Sequence, residues 1–225
     1  MLLQEILSGN FDPIGLVVSL ISSLVVVFLT LPIHEWAHGF AATKLGDPTP
    51  RYTGRLTLNP FAHIDYIGAL CIVLFGVGWA KPVQVNPRNF QNPKIGMAIT
   101  AFAGPAMNIV VATVALLFAN AVAAFGAALG VVAFYVYLFF VSIAQINVFL
   151  AVFNMIPIPP FDGSRILFAI LPDKYYWRVM QHERILMFVM LLIIATDVLD
   201  KPLNLASGLI LNLIDTVASL PFMFF

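Results

Sequence analysis

Charge is scarce in this sequence. Its 225 residues carry 11 Lys+Arg and 11 Asp+Glu, a tenth of the chain, where a soluble domain carries about a quarter. With 61% apolar residues and a mean hydropathy of +0.97, the chain lacks the polar groups to clothe a soluble core. The two signs balance and no basic stripe stands out, which excludes an electrostatic footprint for nucleic acid. There is one cysteine, Cys71, so an internal disulfide and a thiolate zinc cluster are both excluded. The first twelve residues hold Glu5 and Asp12 but no Lys or Arg. That is the wrong n-region for a cleavable signal peptide, and the first helix is expected to be retained.

What is present is long apolar runs. Residues 13–34 and 95–161 contain no Asp, Glu, Lys or Arg, and runs of that length are membrane spans. The first span begins near Pro13, and its helical pattern continues to Gly46-Asp47-Pro48, beyond the roughly 20 residues a bilayer needs. The second run divides near Gly126 and Gly130 into spans over about 95–122 and 131–156. Two further segments, a short one over 184–197 and one over 203–225 interrupted by Asp215 and Pro221, are expected to add one or two membrane elements.

Residues 66–80 are apolar but few, and they contain Gly68, Gly76 and Gly78, so a re-entrant or interfacial piece is expected there. Its flanks, 51–58 and 82–87, read as short strands. The expected architecture is thus an all-α polytopic membrane protein with a small β-sheet at the membrane surface. If 66–80 does not cross, every basic residue except Lys201 shares one side with Lys44, Arg51 and Arg55. The positive-inside rule makes that side cytoplasmic, with the N-terminus outside.

The chemistry is concentrated at the end of the first helix, in His34-Glu35-Trp36-Ala37-His38. Residues i and i+4 share a helix face, so two imidazoles can bind one metal while Glu35, set around the helix, serves as a base toward water. With four His and three Glu in the chain, a random match has odds of roughly one in a thousand. Ionisable groups so near an apolar span need partners or a function. A catalytic zinc takes three protein ligands and leaves one position open. Asp162 is the leading third ligand: it follows the third span through Pro157, Pro159 and Pro160, and parity returns it to the face that carries the histidines. Alone it would read as a helix cap before Gly163-Ser164-Arg165. Asp65, Asp173 and Asp215 are the competing carboxylates, and His63 is either a supporting partner of the site or a helix-entry residue.

Three ordered elements resemble the signature motifs of the site-2 proteases, the intramembrane zinc metalloproteases. They are His34-Glu35-x-x-His38, Gly104-Pro105-Ala106-Met107-Asn108, and Asn154-x-x-Pro157 continuing to Phe161-Asp162-Gly163. The resemblance covers about 14–170 and implies one zinc per chain, held by His34, His38 and Asp162, with Glu35 as base. It also implies that Asn108 and Asn154 hold the substrate backbone or steady the oxyanion; read as residues alone, they are equally interhelical hydrogen bonders. The chain resembles a compact member without an inserted PDZ domain, a single membrane-embedded protease domain over 1–225 whose C-terminal helical segments occupy about 184–225.

The expected function is cleavage of transmembrane or membrane-anchored substrate proteins near the cytoplasmic face of a prokaryotic plasma membrane. The strand around 51–59 is expected to receive an unwound substrate by strand addition. The rival reading is a metal-ion transporter or channel using the same His/Glu/Asp cluster. Against it, these groups gather at one depth, with no polar ladder to the far side.

Overall fold

A computed structural model describes residues 13–75, 80–172, 182–194, 196 and 198–223. The fold is mostly helical. Helix α1 (Pro13–Lys44) is followed by single turns α2 (Thr49–Tyr52) and α3 (Pro60–His63), then α4 (Tyr66–Phe75). The long α5 (Pro93–Phe125) and α6 (Val131–Asn154) come next, and α7 (Asp162–Ile170), α8 (Glu183–Ile194) and α9 (Asp200–Ser219) complete the chain. Four helical stretches are long and apolar enough to cross a membrane: Pro13–Lys44, Pro93–Leu129, Val131–Asn154 and Asp200–Phe222. The protein is a multi-pass membrane protein, and exposed Leu205, Leu209, Leu213 and Val217 form an apolar stripe along α9.

Helix α1 runs on through Pro32, a residue that ordinarily breaks a helix by losing an N–H and crowding the carbonyl four residues back. The strain is absorbed by a π turn at Val26–Thr30, in which Leu31 N–H reaches back to Val26 O. Helices α5 and α6 pack antiparallel through small residues, Ala112 and Ala115 against Ala144, with Ile214 and Ala218 of α9 filling the same core. Small side chains suit this contact, because lipid competes equally for apolar area and close approach of helices is what remains to be gained. At the other end Phe153, Phe161, Met190 and Leu203 tie α6, the loop after it, α8 and α9 together.

The membrane-surface sheet expected from the sequence is a correction: the described residues contain no strand, only an isolated antiparallel bridge between Ile64 and Ala80. The reason is where the backbone hydrogen bonds go. In 51–58, Arg55 and Leu56 both donate back to Pro50 O and Gly54 takes φ +68°, so the segment curls on itself instead of extending. In 82–87, Val83 N–H is taken by Glu35 and Asn86 N–H by Asp47. No edge is left over 51–59 for strand addition. Together with Lys81 N–H donating to His63 O, the bridge brings the residues flanking the 66–80 segment side by side, so the chain leaves and returns at one place. Residues 76–79 within it lie outside the described residues.

Candidate metal centre

His34 and His38 lie on the last turns of α1 and are buried, 5% and 8% exposed. Both press against α5 at Gly104, where a Cβ would run into the two imidazole rings. Only glycine allows this approach. The next residue, Pro105, lies inside α5 and removes the N–H that would bond Ala101 O; one residue earlier, Thr100 O accepts a hydrogen bond from His38 Nδ1 at 2.7 Å. His34 Nδ1 donates to Asn108 Oδ1 at 3.2 Å. With each Nδ1 facing an oxygen acceptor, the protons sit on Nδ1 and both Nε2 atoms present lone pairs.

Asp162 is the first residue of α7, and the N-cap position before it is Phe161, so the cap reading of Asp162 is not what the geometry shows. Its neighbour Gly163 packs on the Met155 carbonyl, where a Cβ has no room, and this seats the start of α7 on the end of α6. The carboxylate points between the imidazoles, with Oδ2 3.4 Å from His34 Nε2 and 3.3 Å from His38 Nε2. The two Nε2 atoms are 3.0 Å apart. Oδ2 is buried with no hydrogen-bond partner.

Three electron-rich atoms therefore face one another without a proton between them, and a cation relieves that repulsion. The spacing fits zinc: ligands at 2.0–2.1 Å in a tetrahedron are separated by about 3.3 Å. The donor set, two imidazoles and one carboxylate, is that of a catalytic zinc with an open position. His34, His38 and Asp162 are the one group of three potential ligands found together among the described residues.

Glu35 is not one of these donors, and it lines a cavity of about 490 Å³ together with all three. Its Oε2 accepts Val83 N–H at 2.9 Å, so the stretch after the 66–80 segment holds the carboxylate in place. Met97, Phe149 and Leu150 make the cavity wall largely apolar, and Asn154 reaches it too. Asn154 Nδ2 donates within its own helix to Leu150 O. Asn108, expected at the substrate, instead carries the His34 bond, while its Nδ2 is buried without a partner.

The competing carboxylates fall elsewhere. Asp65 accepts the N–H groups of Ile67 and Gly68 at the start of α4, and Asp215 accepts from Asn120; Asp173 lies outside the described residues. His63 is fully buried at the base of the 66–80 segment, bonded to Thr57 O, and is not a member of the donor group. Sequence reasoning missed Thr100 and Val83, which act through backbone atoms and leave no side-chain signal.

Comparison with known proteins agrees with this geometry. A family model described as Peptidase family M50 matches residues 120–196, the part that contains Asn154 and Asp162. Over 213 residues the chain is 35% identical to YwhC of Bacillus subtilis (strain 168), covering 92% of this chain and 95% of that protein. The chain belongs to peptidase family M50. A second relative, Rip2 of Mycolicibacterium smegmatis (strain ATCC 700084 / mc(2)155), is 29% identical over 140 residues, 60% of this chain and 51% of that protein. Both relatives are named as putative zinc metalloproteases. No solved structure gives a significant match. This M50 peptidase is a zinc metalloprotease of the site-2 protease family, and its buried donor triangle suits the zinc that the family uses.

Proposed function

We propose that the chain is a single membrane-embedded protease domain that hydrolyses peptide bonds of transmembrane or membrane-anchored proteins near the cytoplasmic face of a prokaryotic plasma membrane. The observation that carries this reading is the position of the donor triangle and Glu35 together, at the end of a membrane helix and on one apolar-walled cavity. A core over about 14–170 supplies the site, and the C-terminal helical segments over about 184–225 close the bundle beside it. With four spans and the 66–80 segment returning to its start, the basic loops share a side, which supports a cytoplasmic site and an N-terminus outside.

His34, His38 and Asp162 would hold the zinc. When bound, zinc supplies Lewis acidity toward the scissile carbonyl and makes water reactive near neutral pH. Glu35 takes the proton from the attacking water and delivers it to the departing amide nitrogen as the C–N bond breaks. Val83 N–H engages one carboxylate oxygen and leaves the other for that transfer. Asn108 fixes the tautomer and tilt of His34. Asn154, at the cavity edge, is the side chain we assign to the unwound substrate backbone, whose freed N–H and C=O groups need partners inside the membrane.

The test is a single-span reporter incubated with purified protein in detergent or vesicles. Cleavage is expected to stop with a chelator and to return with zinc. Glu35→Gln is expected to keep one zinc per chain and to lose about 10²- to 10⁴-fold in rate. Retained cleavage by Glu35→Gln refutes the role of the base.

A further inference from the structure

Two buried polar residues lie outside the metal centre and its cavity. Asn147 on α6 and Thr30 on α1 are 0% and 1% exposed. Asn147 Nδ2 donates to Thr30 Oγ1 at 3.3 Å and to Ile143 O at 2.8 Å, while its Oδ1 is buried with no partner. As packing this is a poor use of an asparagine, since a leucine of similar size would occupy the space without an orphaned acceptor. The place of Thr30 in α1 gives the contact another meaning.

Thr30 closes the π turn at Val26–Thr30. Such a turn inserts one extra residue, and everything after it is rotated by about 100° relative to an uninterrupted α-helix. His34, Glu35 and His38 come within the next turns of the same helix. Before the π turn α1 packs on α6, and after it on α5, so the turn is where the helix changes the face it presents. Pro32 makes an irregularity necessary, but a missing N–H and a crowded carbonyl do not by themselves dictate which turn absorbs it. A hydrogen bond from a neighbouring helix to Thr30 does. From Thr30 onward three successive turns of α1 are tied by one polar contact each, Thr30 to Asn147, His34 to Asn108 and His38 to Thr100 O. The last two orient the imidazoles directly; the first holds the turn that aims them.

We infer that Asn147 and Thr30 are positioning residues of the metal centre: their hydrogen bond locks the π turn and so sets the rotation of α1 that brings His34 and His38 opposite Gly104 and Asp162. This rests on His34, His38 and Asp162 being the zinc ligands. Neither residue touches substrate or metal, and losing the bond lets the extra residue migrate along α1, which turns the imidazoles off the axis shared with Asp162.

The experiment uses purified full-length protein in detergent and compares Thr30→Val, Thr30→Ser, Asn147→Leu and His34→Ala. Zinc affinity, the visible spectrum after cobalt replaces zinc, and the melting of the metal-free protein are measured for each. Thr30→Val keeps the shape and loses the hydroxyl. It and Asn147→Leu are expected to bind zinc about 10- to 100-fold more weakly with altered cobalt bands, while metal-free melting stays at the wild-type value. Thr30→Ser keeps the hydroxyl and is expected to match wild type. Unchanged affinity and spectrum in Thr30→Val overturn the inference, as does Thr30→Ser failing equally. A loss in Thr30→Val matched by a fall in metal-free melting also overturns it, because the pair is then packing alone. Should Asn147→Leu not fold, the two Thr30 variants decide. Zinc retained by His34→Ala refutes the ligand assignment itself, whereas zinc lost there with wild-type behaviour in Thr30→Val refutes only the positioning role.

Discussion

Helices α1 and α9 are both long and apolar enough to cross a membrane, yet they are fixed in different ways. Helix α1 is tied by directional contacts at Thr30, His34 and His38, one per turn. Helix α9 is seated by Leu203, Ile214 and Ala218 in two apolar clusters, and its one interhelical side-chain bond among the described residues is Asn120 Nδ2 to Asp215 Oδ1 at 2.9 Å. Apolar contact is non-directional, and lipid offers the same contact to a helix that slides or turns. A hydrogen bond inside the membrane has a direction and no lipid substitute. A helix that aims metal ligands needs the second kind; one that closes a bundle is served by the first.

The sharpest way to break this comparison is to remove one carboxylate at each helix. Asp162→Ala, opposite α1, is expected to lose zinc and proteolysis to background, while Asp215→Ala on α9 keeps one zinc per chain by metal analysis. Equal loss in both variants would erase the distinction. Next in size is Gly104→Ala, which places a methyl where the imidazoles lie and is expected to weaken zinc about 10- to 100-fold in a competition titration. Wild-type affinity there would mean that α5 can retreat, and that α1 is less tightly held than its hydrogen bonds suggest.

A smaller effect is expected just beyond the C-terminal end of α1. Asp47 is buried and accepts from Thr49, Asn86 and Asn89, which ties the end of that helix to the segment before α5. Burial raises its pKa, but these hydrogen bonds outweigh burial and leave it below the usual carboxylate range. A depressed folded pKa stabilises above the unfolded value and ceases to do so as pH falls through the folded one. Asp47→Asn is therefore expected to cost about 2 kcal/mol at neutral pH, with the gap to wild type narrowing below about pH 4. A gap that does not change with pH would assign the cost to shape alone. The smallest effect is at α9, where Asp215→Ala is expected to change stability in detergent by less than about 1 kcal/mol.

The spans were readable because charge is excluded from them whatever they pack against, and His34-Glu35-x-x-His38 was readable because a helix places i and i+4 on one face without help. Asp162 could be chosen from parity and from the turn at Pro157–Pro160. The small sheet was misread for an equally physical reason. Alternation and β-branched residues over 51–58 and 82–87 describe a chain able to extend, but not one whose N–H groups are claimed by Pro50 O, Glu35 and Asp47. Asn108 and Asn154 carry the same amide, and only their neighbours separate the bond to His34 from the bond to Leu150 O. Pro32 stood within the first apolar run, and the π turn that accommodates it depends on which turn a neighbouring helix holds.

Sequence by itself determined what cannot be relocated: which stretches must leave water, which helix face carries two imidazoles, and which residues can serve as base and ligands. Tertiary structure alone decided the rotation of α1 and the backbone groups at Thr100 and Val83 that orient His38 and Glu35. The physical reason is the range of the forces. Hydrophobic exclusion and helical periodicity act within a segment and are written in its residues. Hydrogen bonds to another segment's backbone exist only once the helices have met, and any residue type can supply them.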